Sequence, residues 1–308
     1  MRKKVSIIGA GNVGASTAQL IAQAGFADIM LFDIAEGMPQ GKALDIAEAC
    51  PLWNSPSSVK GTNNYTDTGA SDIVLITAGF PRKPNMSRDD LLHANADVVR
   101  AASGAIAKTS PDAIIIVVTN PMDVMAQLAW KTAEFSCRRV MGMGGILDSS
   151  RLRTFLAWEL NISPEDIEAI VLGGHGDQMV PLPRFTTAKG IPVTELLKRK
   201  TIEALIHRTR NGGAEIVNLL KSGSAYYAPS AAAFQMIKSI LLDEKRMLPC
   251  AAYLNGEYGI KDIYMGVPAV LGKDGVEKVI EVKLTKDEKA RLRESCSSVR
   301  KLIKKLSI

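Results

Sequence analysis

The sequence predicts an α/β fold in which a doubly wound parallel sheet is followed by an α+β unit. In the first half of the chain, short apolar runs alternate with segments whose apolar residues have helical spacing. Residues 113–118 (Ala-Ile-Ile-Ile-Val-Val) are apolar without interruption, as expected of a strand that is covered on both faces. The second half instead contains turn dipeptides and an alternating segment, so a second unit of different architecture is expected.

The predicted elements of the first half alternate in type along the chain. Strands are expected at residues 5–8, 29–32, 72–76 and 113–118. Helices are expected at residues 12–23, 41–49 and 91–107. In the second half, helices are expected at residues 148–160 and 197–220, and an alternating strand at residues 276–284. This change of pattern places a boundary near residue 145, which gives domains of residues 1–145 and 146–308.

The composition argues against several classes of protein. The 308 residues are 46% hydrophobic and 23% charged, as in globular proteins, and no apolar run approaches the roughly 20 residues that span a bilayer. The basic N-terminus leads into a glycine motif without the cleavage site of a signal peptide, so a cytoplasmic protein is expected. The four cysteines and three histidines include no C-x-x-C or H-x-x-x-H pair, so neither a disulfide framework nor a bound metal is expected.

The formal net charge of +6 comes from the second half of the chain. Residues 1–150 carry 13 basic and 14 acidic side chains, whereas residues 151–308 carry 25 and 18. The basic C-terminal tail is either a nucleic-acid patch or the solvated face of a helix. We favour the helix and expect no nucleic-acid partner, because Thr285 and Glu288 form a capping box before an apolar stripe. The stripe consists of Leu292, Cys296, Val299, Ile303 and Leu306.

A glycine motif follows the first apolar run. It reads Gly9-Ala10-Gly11-Asn12-Val13-Gly14 and stands at the start of a predicted helix. In a G-x-G-x-x-G motif the first glycine allows a tight turn, the second lets the backbone approach a pyrophosphate, and the third allows close helix–strand packing. The helix N-terminus then offers free N–H groups to the phosphates. The motif in this context predicts a Rossmann-type domain.

Asp33 stands 19 residues beyond Gly14, at the end of the second predicted strand. A carboxylate there can hydrogen-bond the adenosine ribose hydroxyls, and it would repel the 2′-phosphate of NADP. A solvated aspartate at a strand end is the alternative interpretation. The distance from the glycine motif favours the cofactor role, so NAD is the expected cofactor.

Two clusters in the second half offer groups for chemistry. Gly173-Gly174-His175-Gly176 places a histidine in a glycine-rich loop with room for a ligand. Oxidation of an alcohol by hydride loss needs a base that works near neutral pH, and imidazole is such a base. A purely structural role of His175 is the alternative interpretation. Asp148 and Arg151 are three residues apart and share one face of the predicted helix. They are either a surface ion pair or a functional pair. In the functional pair Asp148 orients a histidine and Arg151 binds a carboxylate of the ligand.

Residues 79–88 leave a predicted strand at the edge of the sheet where ligands of such sheets bind. The segment contains two prolines and three cations, Arg82, Lys83 and Arg88. It could hold cofactor phosphates. It could equally be a lid that brings arginines to an anionic substrate and excludes water.

These motifs together resemble the lactate/malate dehydrogenase superfamily over the whole chain, most closely the lactate-dehydrogenase-like malate dehydrogenases. The matching segments are residues 9–14, 78–92, 118–121, 147–153, 173–183 and 223–229. The resemblance implies NAD as cofactor and a small dicarboxylate, malate or oxaloacetate, as substrate. It also implies a homodimer or homotetramer with no membrane partner.

The resemblance implies a role for each candidate site residue. His175 would take the hydroxyl proton, Asp148 would fix the tautomer of the imidazole, and Arg151 would bind the carboxylate beside the reacting carbon. Arg88 would polarise the carbonyl as negative charge develops, and Asn120 would hydrogen-bond the substrate oxygen.

Other matched residues lie on the cofactor side. Asn95 and Val118, together with Asn120, would line the nicotinamide. The Asn120-Pro121 bond is expected to be cis, because X-Pro is the inexpensive place for a cis bond where the strand must turn.

Arg82 indicates the substrate. Family members that act on lactate carry glutamine six residues before the position of Arg88, whereas those that act on malate carry an arginine that can pair with a second carboxylate. Ala225 agrees, because lactate enzymes tend to have threonine there and a smaller residue leaves room for a longer substrate. Asn85 replaces the usual glycine of this loop, and asparagine tolerates positive φ, so altered lid mobility is expected rather than lost function.

Two other functions stay open at this point. A lactate or other 2-keto acid dehydrogenase would have the same fold, but Arg82 and Ala225 argue against it. A catalytically silent NAD(H)-binding sensor would be expected to lack His175, Asp148 or Arg151, and all three are present.

Overall fold

The computed structural model describes residues 2–80 and 87–308, and for Arg88 it describes the backbone alone. The strands in this part of the chain are β1 (Lys3–Ile8), β2 (Ala27–Phe32), β3 (Val59–Thr62), β4 (Ile73–Ile76), β5 (Ile114–Val117), β6 (Val140–Gly142), β7 (Ile167–Glu168), β8 (Val171–Leu172), β9 (Val180–Pro181), β10 (Thr187–Ala188), β11 (Ile191–Pro192), β12 (Arg246–Asn255), β13 (Lys261–Gly272) and β14 (Gly275–Val279). The α-helices there are α1 (Asn12–Ala24), α2 (Met38–Ala49), α3 (Arg88–Thr109), α4 (Met122–Ala133), α5 (Gly145–Leu160), α6 (Val193–Leu196), α7 (Arg199–Leu220), α8 (Tyr227–Leu241) and α9 (Lys286–Lys305). None of these helices combines the length and the apolar character that a membrane crossing requires.

Six parallel strands form the larger part of the main sheet, in the order β3-β2-β1-β4-β5-β6. The order reverses between β1 and β4, and right-handed crossovers then place the connecting helices on opposite faces of the sheet. β4 and β5 are buried along their whole length, which is why every residue in them is apolar. The doubly wound parallel sheet is therefore confirmed.

Antiparallel strands of the second half extend the same sheet beyond β6. β12 pairs with β6 through Ala251 and Gly142, and β13 and β14 follow as antiparallel neighbours. The expected antiparallel component is present, but it joins the edge of the parallel sheet instead of forming a sheet of its own. The backbone of Gly266 in β13 also pairs with that of Gly173. The two segments are so close there that a Cβ on Gly266 would overlap with the carbonyl oxygen of Gly173. This contact holds residues 173–179, the histidine loop, against the main sheet.

The other strands are short and form two small antiparallel sheets, one of β7, β10 and β11 and one of β8 and β9. The β8–β9 pair carries the histidine loop between its strands. Helix α5 contacts both β12 and α7, while α1 packs on α8 and α3 packs on α4. Helix α5 also contacts β8 and α9 contacts β9, so two helices of the second half lie against the strands that carry the candidate base.

Three helices, α2, α3 and α5, begin three residues before their expected starts. Helix α2 begins at Met38, after Gly37 in the left-handed conformation. Helix α3 begins at Arg88, because Ser87 and Asp90 form a capping box that satisfies the first backbone N–H groups. In α2 and α3 the capping residues, rather than the apolar stripe, determine where the helix begins.

The C-terminal segment follows the sequence prediction in its helix and departs from it in its strand. The strand expected to reach residue 284 ends at Val279. Beyond it, Ile280 N–H donates to the carbonyl oxygen of Pro268, while the hydroxyl of Tyr258 donates to Ile280 O and accepts from Val282 N–H. A side chain therefore replaces the neighbouring strand as hydrogen-bond partner. Helix α9 has the predicted capping box and buries all five residues of the apolar stripe.

Candidate active site

The glycine turn between β1 and α1 leaves a helix N-terminus without a side-chain cap. Gly9 has φ +111°, and a Cβ there would lie 2.6 Å from the backbone nitrogen of Ala78. A Cβ on Gly14 would overlap with the Gly9 carbonyl oxygen, so the helix approaches the strand more closely than any other residue type permits. Gly11, the N-cap of α1, has open space where a Cβ would stand. Free N–H groups with open space in front of them fit a pyrophosphate.

The carboxylate of Asp33, just after β2, reaches back to this turn. Its Oδ2 accepts the backbone N–H of Ala10 at 2.8 Å, and its Oδ1 accepts that of Ala35 at 3.0 Å. An ionised carboxylate has about four acceptor positions, so capacity remains for ribose hydroxyls. Asp33 is therefore held where an adenosine ribose would follow the pyrophosphate.

The buried side chain of Asn95, on α3, joins the ends of β4 and β5. Its Oδ1 accepts the Phe80 N–H at 2.7 Å, and its Nδ2 donates to the backbone oxygen of Asn120 at 2.7 Å. At this strand end Val118 is half-buried and Asn120 is exposed. Asn95 thus holds the backbone that presents Asn120, and the predicted cis bond between Asn120 and Pro121 is confirmed.

A buried carboxylate of α5 contacts the ring of His175. Asp148 Oδ2 lies 2.9 Å from His175 Nδ1, and the two side chains are 2% and 14% exposed. Burial lowers the pKa of His175, but the charge of Asp148 and its hydrogen bond, together with the charge of Asp123, outweigh burial and raise the pKa overall. With Nδ1 engaged by Asp148, Nε2 is the ring nitrogen that can exchange a proton with a ligand.

Arg151 lies one helical turn from Asp148 and is also largely buried. Its Nη1 is 3.6 Å from Asp148 Oδ1, and burial lowers the pKa of the guanidinium while Asp148 raises it. Gly212 and Gly213 of α7 make room for this side chain, since a Cβ on Gly212 would lie 3.1 Å from Arg151 Cδ. A planar guanidinium in such a setting suits an anionic ligand that binds through two oxygens.

Two buried residues that the sequence analysis does not single out also hold the histidine loop. Asp123, in the first turn of α4, accepts the backbone N–H of His175 at 2.8 Å. Ser295 of α9 accepts the backbone N–H of Gly174 at 2.8 Å. The sequence offers little indication of either role. An aspartate in a first helical turn, such as Asp123, is ordinarily a solvated charge that interacts favourably with the helix dipole.

The remaining candidates are placed only in part. Arg82 and Asn85 lie outside the described residues, and so does the side chain of Arg88, whose backbone begins α3. Ala225 is half-buried, two residues before α8. Across residues 2–80 and 87–308, no cluster of three or more histidine, cysteine or acidic side chains could hold a metal ion.

Comparison with known proteins assigns both halves of the chain to one family. Residues 3–142 match the family model described as lactate/malate dehydrogenase, NAD binding domain. Residues 146–307 match the model described as lactate/malate dehydrogenase, alpha/beta C-terminal domain. A curated relative, the malate dehydrogenase of Desulforudis audaxviator, is 56% identical over 307 residues, which is 100% of this chain and 99% of that protein.

Solved structures of enzymes with two different activities have nearly the same backbone as this chain. The malate dehydrogenase of Cryptosporidium parvum superposes with a TM-score of 0.97 at 44% identity, covering 100% of this chain and 99% of that one. The lactate dehydrogenase of the same organism, solved with lactic acid and nicotinamide adenine dinucleotide, has a TM-score of 0.96 at 41% identity, covering 100% and 98%.

Proposed function

The chain belongs to the lactate/malate dehydrogenase family, and on that basis we propose that it is an NAD-dependent malate dehydrogenase that interconverts (S)-malate and oxaloacetate. The full-length similarity to a curated malate dehydrogenase is the observation that carries the proposal. A lactate dehydrogenase has nearly the same backbone, so the substrate must be decided by side chains.

NAD is the cofactor: when bound, NAD⁺ would accept the hydride of malate oxidation, and NADH would supply the hydride of oxaloacetate reduction. The turn from Gly9 to Gly14 would hold the pyrophosphate, and Asp33 would bind the adenosine ribose. Val118, Asn95 and Asn120 would lie on the nicotinamide side, where the hydrogen bonds of Asn95 keep the ends of β4 and β5 together.

His175 is the proposed proton-exchanging group. In malate oxidation its neutral Nε2 would take the hydroxyl proton, and in oxaloacetate reduction the imidazolium would return it. The 2.9 Å contact with Asp148 supports this role, because it fixes the ring and stabilises the imidazolium. Arg151 would bind the carboxylate next to the reacting carbon, and Asn120 would hydrogen-bond the substrate oxygen.

The segment between β4 and α3 would select the substrate. We propose that Arg82 pairs with the distal carboxylate of a dicarboxylate and that Arg88 polarises the reacting carbonyl. Ala225 would leave room for the longer substrate. These assignments rest on the family pattern at each position, and Asn85 would alter the mobility of the segment.

We also propose the setting in which the enzyme works. Four free cysteines, three of them buried, support a reducing compartment such as the cytoplasm. Large apolar side chains that remain exposed, among them Leu52 at 84% and Trp158 at 63%, support a homodimer or homotetramer, which sedimentation would distinguish from a monomer. Within each subunit, residues 1–145 would form the NAD-binding domain and residues 146–308 the substrate domain.

A spectrophotometric assay tests the proposed reaction. Oxaloacetate and NADH should give a loss of absorbance at the nicotinamide band, and pyruvate should give a much slower loss. His175→Asn should remove turnover while NADH binding is retained, since the ring is the proton donor. His207→Asn is the matched control, because His207 is exposed on α7 and should be dispensable. Equal rates on both keto acids, or activity in His175→Asn, would overturn the proposal.

A further inference from the structure

Asp123 connects the turn that carries Asn120 with the loop that carries His175. It lies three residues after Asn120, in the first turn of α4, and is 4% exposed. Its Oδ2 accepts the backbone N–H of His175 at 2.8 Å. The acceptor is therefore buried between two segments that, in the proposed function, both contact the substrate.

The charge of this carboxylate has a cost that its hydrogen bond does not explain. Burial, as the main cause, raises the pKa of Asp123 to about 6, and its Oδ1 has no hydrogen-bond partner within the described residues. A buried carboxylate with an unsatisfied oxygen is destabilising. An asparagine could accept the same backbone N–H without a charge. A buried acid in a place where an amide would serve suggests that the negative charge itself has a use.

The groups around His175 show what that use can be. Asp148 and Arg151 face it from α5, and Asp123 faces it from α4. Burial is the largest influence and lowers the pKa of His175, Arg151 lowers it further, and both carboxylates raise it. Asp123 is thus a second source of negative charge beside the imidazole.

We propose that Asp123 is a positioning residue of the dehydrogenase, which holds the backbone of His175 in place and adds a second negative charge that stabilises the imidazolium needed for oxaloacetate reduction. This inference rests on the proposed function. Asp148 contacts the ring of His175, whereas Asp123 accepts the backbone N–H of the same residue.

Two substitutions separate the two roles of Asp123. Asp123→Asn keeps an acceptor for the His175 N–H but removes the charge. It should lower the pKa of His175 by roughly one unit and move the alkaline limb of oxaloacetate reduction to lower pH by the same amount. Asp123→Ala removes the acceptor as well and should reduce kcat about tenfold or more, with the affinity for NADH unchanged. Asp112→Asn, at an exposed aspartate, is the matched control.

NMR titration of the histidine rings gives a readout that does not depend on turnover. The chain has three histidines, so the resonance lost in His175→Asn identifies His175. In the unmodified protein this resonance should show a second inflection near pH 6, where Asp123 ionises, and Asp123→Asn should remove that inflection.

The outcomes distinguish the two proposals. If the unmodified protein does not turn over oxaloacetate but its His175 resonance shows the inflection, the proposed reaction fails and the charge coupling stands. If the resonance shows no second inflection, Asp123 has only a structural role, and an unchanged pH profile of Asp123→Asn would lead to the same conclusion. The inflection is measured on the unmodified protein and needs only His175→Asn for the assignment, so it tests the charge coupling even if the Asp123 variants fold poorly.

Discussion

His175 occupies a position where burial and nearby carboxylates act on its charge in opposite directions. Burial favours the neutral ring, and Asp148, at 2.9 Å, favours the imidazolium. The carboxylates prevail, so the pKa of His175 is raised above 6.5. In the proposed function the ring must be neutral for malate oxidation and protonated for oxaloacetate reduction, so the raised pKa would favour reduction at neutral pH.

The pH dependence of the two directions should follow this raised pKa. Oxaloacetate reduction should decline as the pH rises through the pKa of His175, and malate oxidation should increase over the same range. Asp148→Asn removes the main group that raises this pKa, so both limbs should move to lower pH, with Asp97→Asn at an exposed site as the control. Profiles of kcat/KM from pH 5 to 10 check this, and limbs that stay in place would rule out Asp148 as the cause.

The same shift links the pH to the stability of the fold. A histidine whose pKa is raised by folding contributes stability that is fully present below pH 6.5 and is lost as the pH rises through the folded value. Asp123 acts with the same sign, because its pKa is also raised, so its contribution declines between about pH 3.8 and about pH 6.

Residue spacing predicts part of this cluster. The three-residue separation of Asp148 and Arg151 places both on one helix face, and the glycines around His175 indicate an open loop. Asp123 could not be predicted in the same way. Its partner is a backbone N–H that lies 52 residues away along the chain, and only the tertiary fold brings the two together.

At the scale of elements, the glycine turn and the end of β2 form one unit. Asp33 accepts the N–H of Ala10, so the residue proposed to select the cofactor is hydrogen-bonded to the turn proposed to hold the pyrophosphate. Both features follow strands that are neighbours in the sheet, since β1 pairs with β2 along its whole length.

Asp33→Ser tests the selection of cofactor by this unit. Removal of the carboxylate removes its repulsion of the 2′-phosphate, so the preference for NADH over NADPH should narrow, chiefly through a lower KM for NADPH. The ratio of kcat/KM values for the two cofactors is the measurement. Asp28→Ser, near the start of the same strand and paired with Arg2, is the control. Comparable values for NADPH and NADH in the unmodified protein would contradict the role of Asp33.

Some elements could not be predicted from the apolar pattern. Every residue from Met122 to Ala129 in α4 is buried, so this part of the helix has no exposed face and no apolar stripe to detect. The α2 and α3 starts are determined by capping residues that precede the stripe. The strand ending at Val279 keeps its alternating pattern after the sheet has ended, because Tyr258 replaces the missing neighbour.

At the scale of the whole molecule, the main sheet connects the glycine turn of residues 9–14 with the histidine loop. Local patterns predict four of the six parallel strands and an antiparallel component, since both depend on residues close in sequence. They do not predict β3 or β6. They also do not predict that β12 pairs with β6, because that contact joins Ala251 to Gly142, more than a hundred residues apart. This pairing places the second half of the chain beside the carboxyl ends of the parallel strands, where ligands of such sheets bind.

The choice of substrate remains the central claim, because the same backbone serves a lactate dehydrogenase. Arg82 would pair with the distal carboxylate of oxaloacetate, whereas pyruvate would leave the guanidinium buried without a partner. An unpaired buried charge costs about 3–5 kcal/mol, which corresponds to about a hundred- to several-thousand-fold in kcat/KM.

The most direct test compares kcat/KM for oxaloacetate and pyruvate in the unmodified protein and in Arg82→Gln. The unmodified protein should prefer oxaloacetate by about that factor. The substitution should lower activity on oxaloacetate steeply and raise activity on pyruvate only in part, because Ala225 still leaves a pocket suited to the longer substrate. A ratio in Arg82→Gln within a few-fold of the original would contradict the assignment of malate as the substrate.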